Sequence, residues 1–319
     1  MPKVLLTEKI NKEALKILLD NNFDVKIATS IDEETLKEEV KNVDAILVQC
    51  TELNDNIISS AKKLKIISRH GTGVNNIDIE SATRNKVLVC KVDGLNSYSV
   101  AEYYISMMIN LSRNFFILDS YFKEGKFIDA NTTLPNLALK YNLNGEEITN
   151  KNLLILGYGS IGKELAKIAK FFKMNVYIYH PREQFNDFKT FNNLFEALEI
   201  ADFVTICTPL NQETKNLITK KELSKLKKTC IILNAARGGI INENDLAFYL
   251  NNDLIRGAAV DVFQEEVPIN SPLLGAKNCI LTPHIAGSTK KAMKDLSLES
   301  AKNIVDYFNG IIPRTTVNL

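Results

Sequence analysis

The chain has no surplus of charge of either sign: 39 Lys and Arg oppose 38 Asp and Glu, a formal net charge of +1. Without a basic surplus there is no electrostatic footprint for nucleic acid. No apolar run approaches the length that crosses a bilayer, and the N-terminal Met-Pro-Lys-Val-Leu-Leu-Thr reads as a first strand. A cytoplasmic protein with neither nucleic-acid nor membrane partners is expected. The five cysteines (Cys50, Cys90, Cys207, Cys230, Cys279) show no CxxC. Each lies within or beside an apolar run, the setting of a buried free thiol, and no metal site is expected. Histidine is scarce, at three residues, and a lone histidine is usually structural. Repeats, low-complexity tracts and disordered linkers are also missing.

What is present fits a folded protein of two domains: 319 residues, of which 45% are hydrophobic. Through the first hundred residues short apolar runs (4–6, 25–28, 45–48, 64–68, 87–90) alternate with amphipathic stretches (12–20, 33–40, 55–62, 78–85). That alternation predicts a parallel sheet with crossover helices. A long apolar-rich helix is expected over about 97–122, then a polar, loop-like stretch to Asn150. A second strand–helix series begins at Asn152, with strands at 153–156, 176–179, 203–207, 231–233, 257–260 and 279–281. A final helix over about 290–308 precedes an apolar tail at 315–317, and the lysine-rich stretch 220–228 reads as a solvated helix face.

Three strand ends carry most of the chemistry: Asn234-Ala-Ala-Arg237-Gly-Gly239, Asp261-Val-Phe-Gln-Glu-Glu266 and Thr282-Pro-His284-Ile-Ala-Gly287. In open α/β sheets ligands bind beyond the carboxyl ends of the strands. A cation, a carboxylate and an imidazole arriving there suit the binding of a carboxylate beside a carbonyl while a proton moves.

The apolar run 153–156 leads into Gly157-Tyr-Gly159-Ser-Ile-Gly162 and then into a helical pattern. Strand before and helix after make this glycine pattern a dinucleotide loop. Gly157 permits the tight turn, Gly159 lets backbone approach a pyrophosphate, and Gly162 lets helix and strand pack closely. Ser160 and Ile161 open the helix whose N–H groups meet phosphate oxygens. At the ribose position, where NAD-binding units commonly place Asp or Glu, the chain reads His180-Pro181-Arg182-Glu183. Loss of the carboxylate removes repulsion toward a 2′-phosphate. Arg182 either pairs with such a phosphate or points into solvent. The cofactor is expected to be NAD or NADP, NADP slightly favoured.

The three strand ends and this loop resemble the D-isomer-specific 2-hydroxyacid dehydrogenase family over nearly the whole chain. Arg69-His-Gly71-Thr-Gly73-Val-Asn75-Asn-Ile-Asp78 is similar to the family's substrate-domain glycine loop, and Asn96-Ser-Tyr-Ser-Val-Ala-Glu102 to the start of its long helix. Cys207-Thr-Pro-Leu210 is similar to its cofactor-edge loop. The resemblance implies two doubly wound α/β domains, a Rossmann NAD(P)-binding domain (100–287) inserted into a flavodoxin-like substrate domain (1–99 with 288–319). It implies interconversion of a D-2-hydroxy acid and its 2-keto acid, and a homodimer.

On the matching positions, Arg237 grips the substrate carboxylate, His284 is the general acid/base and Glu266 orients the imidazole. Asp261 accepts from the nicotinamide carboxamide, Ala235 contributes backbone, and Thr208 and Pro209 line the cofactor edge. Arg69, Gly71, Thr72, Gly73 and Asn96 face substrate. Backbone N–H groups from Gly71 to Val74 can hold a carboxylate without a charge. The family usually has proline directly after the glutamate, whereas Val267 intervenes here before Pro268.

Within the family, 3-phosphoglycerate dehydrogenases look similar around 69–78 and 282–289, and that activity is the first alternative. Arg69 is then a phosphate anchor, or else a salt bridge. Those enzymes tend to carry another arginine after the third strand, where this chain reads Leu47-Val48-Gln49-Cys50. The alternative of another class is a cofactor-sensing binding protein like the C-terminal-binding-protein corepressors. The stretch 127–150 looks longer than usual and either extends a dimer arm or covers the cleft.

Overall fold

Apolar runs too short for helices, separated by amphipathic stretches, can bury both faces only as parallel strands sandwiched by helices. The protein, here a computed structural model describing residues 1–318, folds in that way twice. Among the described residues one compact unit comprises 1–96 and 288–318, the other 97–287.

The first unit runs β1 (Lys3–Leu6), α1 (Lys12–Asp20), β2 (Asp24–Ile27), α2 (Glu33–Glu39), β3 (Ala45–Val48), α3 (Asp55–Ser60), β4 (Ile66–Arg69), α4 (Ile79–Arg84) and β5 (Leu88–Cys90). Its five strands are parallel in the order β2-β1-β3-β4-β5, the flavodoxin-like order. Asn11, Asp32, Asn54 and Asp78 each cap a helix by accepting a backbone N–H, which marks helix starts in the sequence.

The second unit begins with α5 (Ser97–Arg113), α6 (Phe115–Lys123) and α7 (Leu134–Lys140). It continues through β6 (Asn152–Leu156), α8 (Ser160–Phe171), β7 (Asn175–Tyr179), β8 (Lys189–Phe191), α9 (Leu194–Ile200), β9 (Phe203–Ile206), α10 (Lys220–Leu223), β10 (Ile231–Asn234), α11 (Glu243–Asn251), β11 (Gly257–Val260) and β12 (Cys279–Leu281). The seven strands lie in the order β12-β11-β10-β9-β6-β7-β8. The order reverses at β6, so the switch point lies between the ends of β6 and β9. The last helix, α12 (Lys290–Phe308), packs on α1 and β4 of the first unit, and Val317 N–H then bonds Val89 O at 2.9 Å beside β5.

Several expectations need correction. The stretch 220–228 is helical only over Lys220–Leu223, and Cys50 is exposed, not buried. The long helix breaks at Asn114, whose backbone is left-handed (φ 55°), and continues as α6; asparagine tolerates that conformation better than most residues. The stretch read as loop to Asn150 contains α7, with Leu137 buried and a Phe127–Tyr121–Tyr141 aromatic cluster beneath it. The short strand β8 was not foreseen; Lys-Thr-Phe offers too little pattern. Among the described residues no helix is long and apolar enough to cross a membrane.

Candidate active site

At the end of β6 each glycine has a distinct steric reason. Gly157 adopts φ 96°, and a Cβ there would lie 2.7 Å from Cys207 O. A Cβ on Gly162 would meet Gly157 O at 2.6 Å, so helix and loop touch backbone to backbone. Gly159, the N-cap of α8, has nothing within 4 Å of its Cβ position and faces open space with exposed Ser160. The first turn of α8 presents orphan N–H groups there. This cradle fits a dinucleotide pyrophosphate: two glycines are demanded by packing, and the third is demanded by nothing in the protein.

Arg237, Glu266 and His284 come together beyond β10, β11 and β12. Asn234, at the end of β10, accepts Ala236 N–H and donates to Arg237 O at 2.9 Å, which shapes the turn. Gly238 then passes so close to the next loop that a Cβ would fall 1.7 Å from Phe263 O. Arg237 is half-buried, and Nη1 donates to Ala236 O. Burial lowers its pKa from the ordinary value and the charge of Glu266 opposes that; a guanidinium stays protonated under such a shift.

Glu266 Oε1 lies 3.2 Å from His284 Nδ1, so Val267 does not keep the carboxylate from the imidazole. Both partners are open to solvent, with 46% of the His284 and 75% of the Glu266 side chain exposed. A cavity of about 260 Å³ bordered by both residues is walled by Val262, Phe263, Pro268, Leu274, Leu281 and Pro283.

His284 has a left-handed backbone, φ 56°, uncommon for a side-chain-bearing residue. Asp261 holds it there. Its buried carboxylate accepts Ile285 N–H at 2.8 Å, Ala286 N–H at 2.9 Å and the Thr282 hydroxyl at 2.5 Å, while Asp261 O accepts His284 N–H at 2.9 Å. Tyr103, from α5, completes the chain at 2.8 Å from Thr282 Oγ1. Burial pushes the Tyr103 phenol up, so it remains a donor. Asp261, expected to bind nicotinamide, is thus first of all a loop anchor with one acceptor position left on Oδ2.

The backbone share expected of Ala235 also shrinks. Its N–H already donates to Tyr104 Oη at 2.9 Å, which leaves the carbonyl. Tyr104 is wholly buried and in turn donates to Ile206 O, tying the ends of β9 and β10 together. Tyr103, Tyr104 and Thr282 were missed as site supports. The tyrosines lie within an apolar helical pattern that carries no sign of their distant partners.

At the end of β7, His180 Nδ1 accepts Glu183 N–H at 2.9 Å, leaving Nε2 as the ring donor. Arg182 does not reach into solvent alone: its guanidinium pairs with Glu213 from the loop after β9. Thr208 is half-buried on that loop, and exposed Pro209 accepts the Thr214 hydroxyl through its carbonyl.

The substrate candidates of the first unit sit at the end of β4. Arg69 Nη1 donates to His70 O at 2.6 Å, and the guanidinium lies over Gly71, where a Cβ would clash with it. Gly71 N–H turns back to Arg69 O, and the Thr72 hydroxyl donates to Val92 O at 3.1 Å. Gly73 follows, half-buried, and Asn96 is half-buried at the end of this segment. His70, buried, bonds Ser297 Oγ at 2.9 Å and Met293 O at 3.2 Å on α12. Glu8, after β1, accepts the N–H groups of Gln49, Cys50 and Thr51 and the hydroxyls of Thr7 and Thr51. Burial raises its pKa, but these bonds outweigh burial and leave it below the usual carboxylate value.

Residues 105–286 match the family model described as "D-isomer specific 2-hydroxyacid dehydrogenase, NAD binding domain". The chain belongs to this family. A D-3-phosphoglycerate dehydrogenase of Methanocaldococcus jannaschii is a relative at 34% identity, the match covering 100% of this chain and 60% of that protein. A glyoxylate reductase of Pyrococcus horikoshii is 32% identical, with 99% of this chain and 96% of that one covered. A solved structure from Thermus thermophilus superposes with a TM-score of 0.89, covering 99% of both chains at 24% identity, which speaks for the fold. This 2-hydroxyacid dehydrogenase family member thus spans 60% of the M. jannaschii phosphoglycerate dehydrogenase and nearly the whole of the glyoxylate reductase.

Proposed function

We propose that the chain is a nicotinamide-dependent reductase of a 2-keto acid, running reversibly as a D-2-hydroxyacid dehydrogenase. The observation that carries this reading is the Glu266–His284 contact with Arg237 charge-coupled to the same carboxylate. With Nδ1 engaged by Glu266, His284 has Nε2 left to hand a proton to the developing alkoxide. Arg237 grips the substrate carboxylate with its planar fork and polarises the adjacent carbonyl. A nicotinamide cofactor supplies the hydride when bound. Gly157, Gly159, Ser160, Ile161 and Gly162 would hold its pyrophosphate, Thr208 and Pro209 its edge, and Ala235 O and Asp261 its carboxamide. Arg69, the N–H groups of Thr72, Gly73 and Val74, and Asn96 are assigned to substrate.

A short, unphosphorylated 2-keto acid is favoured over 3-phosphohydroxypyruvate. Backbone N–H groups in succession after β3 would make an anion nest, but Glu8 already occupies those of Gln49, Cys50 and Thr51 with its own carboxylate. The proposed assembly is a homodimer. Helix α6 buries none of its residues, and Phe115, Phe116 and Phe122 on it are exposed.

Rates with glyoxylate, hydroxypyruvate, pyruvate, 2-ketoisocaproate and phosphohydroxypyruvate test the reading. Turnover of a small unphosphorylated acid is expected. Phosphohydroxypyruvate as the preferred substrate would restore the phosphoglycerate reading, and no turnover of any would favour a cofactor-sensing binding protein. His284→Ala should lower kcat by about 10²–10⁴-fold. Arg237→Ala should raise KM and lower kcat together.

A further inference from the structure

The β6 end, where the glycine cradle lies, is flanked in the sheet by β7 on one side and β9 on the other. A single ion pair joins the loops that follow these two strands: Arg182 after β7 and Glu213 after β9. Neither partner is loosely placed. The Glu213 turn is closed by Asn211 Oδ1, which accepts the N–H groups of Glu213 and Thr214 at 2.9 Å each, and by the Thr214 hydroxyl on Pro209 O. The Arg182 turn is closed by Glu183 N–H on His180, whose ring packs 5.7 Å from Phe185. Phe185 packs in turn 4.6 Å from Tyr158, between the first two glycines of the cradle.

We propose that Glu213 is a cofactor-selectivity residue, holding Arg182 and thereby directing the site to NAD over NADP. The proposal rests on the assignment of the cradle to a dinucleotide. Arg182 stands beside two carboxylates, its partner Glu213 and Glu183 of its own turn, while the Lys163 ammonium lies further along, 5.9 Å from the Tyr158 ring. A 2′-phosphate brings up to two further negative charges. It would have to displace Glu213 from the arginine and then remain beside both carboxylates. A ribose 2′-hydroxyl meets no such opposition. The pair is exposed, with 71% and 65% of its side chains open to solvent, so removing it should scarcely affect folding.

Binding to the intact chain, measured calorimetrically, separates the outcomes. The probes are NADH, NADPH and the nicotinamide-free pair ADP and 2′,5′-ADP. The native chain should bind ADP more tightly than 2′,5′-ADP. Glu213→Gln should tighten 2′,5′-ADP and NADPH by about 10-fold, as an arginine fork becomes available to phosphate, and leave ADP within about 2-fold. Adding Arg182→Ala to that variant should abolish the gain. The proposal is overturned if Glu213→Gln leaves 2′,5′-ADP affinity unchanged, or if the native chain already prefers 2′,5′-ADP while binding both. If none of the four probes binds, the dinucleotide assignment of the cradle falls and the proposal with it.

Discussion

His284 shows how one residue's chemistry depends on backbone that other residues must hold. Its φ of 56° is unfavourable for an L side chain, at a cost of order 1–2 kcal/mol, and the buried Asp261 offsets it with bonds to the next two N–H groups. His70, at the end of β4, has a different fate. Burial, only partly opposed by Met293 O, keeps its imidazole below the ordinary 6.5. The folded state therefore binds fewer protons than the unfolded state as pH drops below that value. The associated stability is complete above the unfolded pKa and is lost as pH falls through the folded one. The urea midpoint should thus decline between pH about 7 and about 5, and the decline should be smaller in His70→Gln, which keeps a donor for Ser297. An equal decline in both would remove His70 as the titrating group.

At the scale of elements, the loops beyond β10, β11 and β12 are fastened to one another and to α5. Gly238 meets Phe263 backbone, Gln264 N–H donates to Glu243 on α11 at 2.6 Å, and Thr282 links Tyr103 to Asp261. In the proposed reaction Thr282 is a positioning residue, linking Tyr103 to the Asp261 carboxylate that holds the His284 loop. Thr282→Val keeps the shape but leaves the Tyr103 hydroxyl and one Asp261 acceptor unpaired, a cost of about 1–3 kcal/mol. Its kcat should fall about 10-fold or more, as misplacing a proton donor does, with KM and NADH affinity nearly unchanged. Thr282→Ser should restore kcat. Loss of NADH affinity in step with kcat, or no rescue by serine, would mark the hydroxyl as merely structural.

On the scale of the whole molecule, α6 leaves apolar surface open that the proposed dimer would cover. Phe116 is 67% exposed and Ile128, just beyond the helix, is 84% exposed, more than isolated surface residues usually need explaining. Light scattering should give twice the chain mass, and Phe116→Glu should yield a folded monomer. A native chain that is monomeric at tens of micromolar would dismiss the dimer. Much of this architecture was legible beforehand because its signals are local. Strand-length runs such as Ala45–Val48, caps such as Asp78 and the spacing from Gly157 to Gly162 operate within a few residues. The break at Asn114 and the helix over Leu134–Lys140 were not legible, since one asparagine in an apolar stretch and a short helix in a polar one are weak signals. In the site the sequence alone determined which residue types stand at the strand ends: Arg237, Glu266 and His284, and the glycines that admit a phosphate. Tertiary structure decided what they and their neighbours meet: Asp261 spent largely on the loop after β12, Ala235 N–H taken by Tyr104, Arg182 claimed by Glu213, and Glu8 filling the nest after β3. Residue identity is a property of the chain, but each of these partners lies tens of residues away or more, and only folding chooses which donor a given acceptor will satisfy.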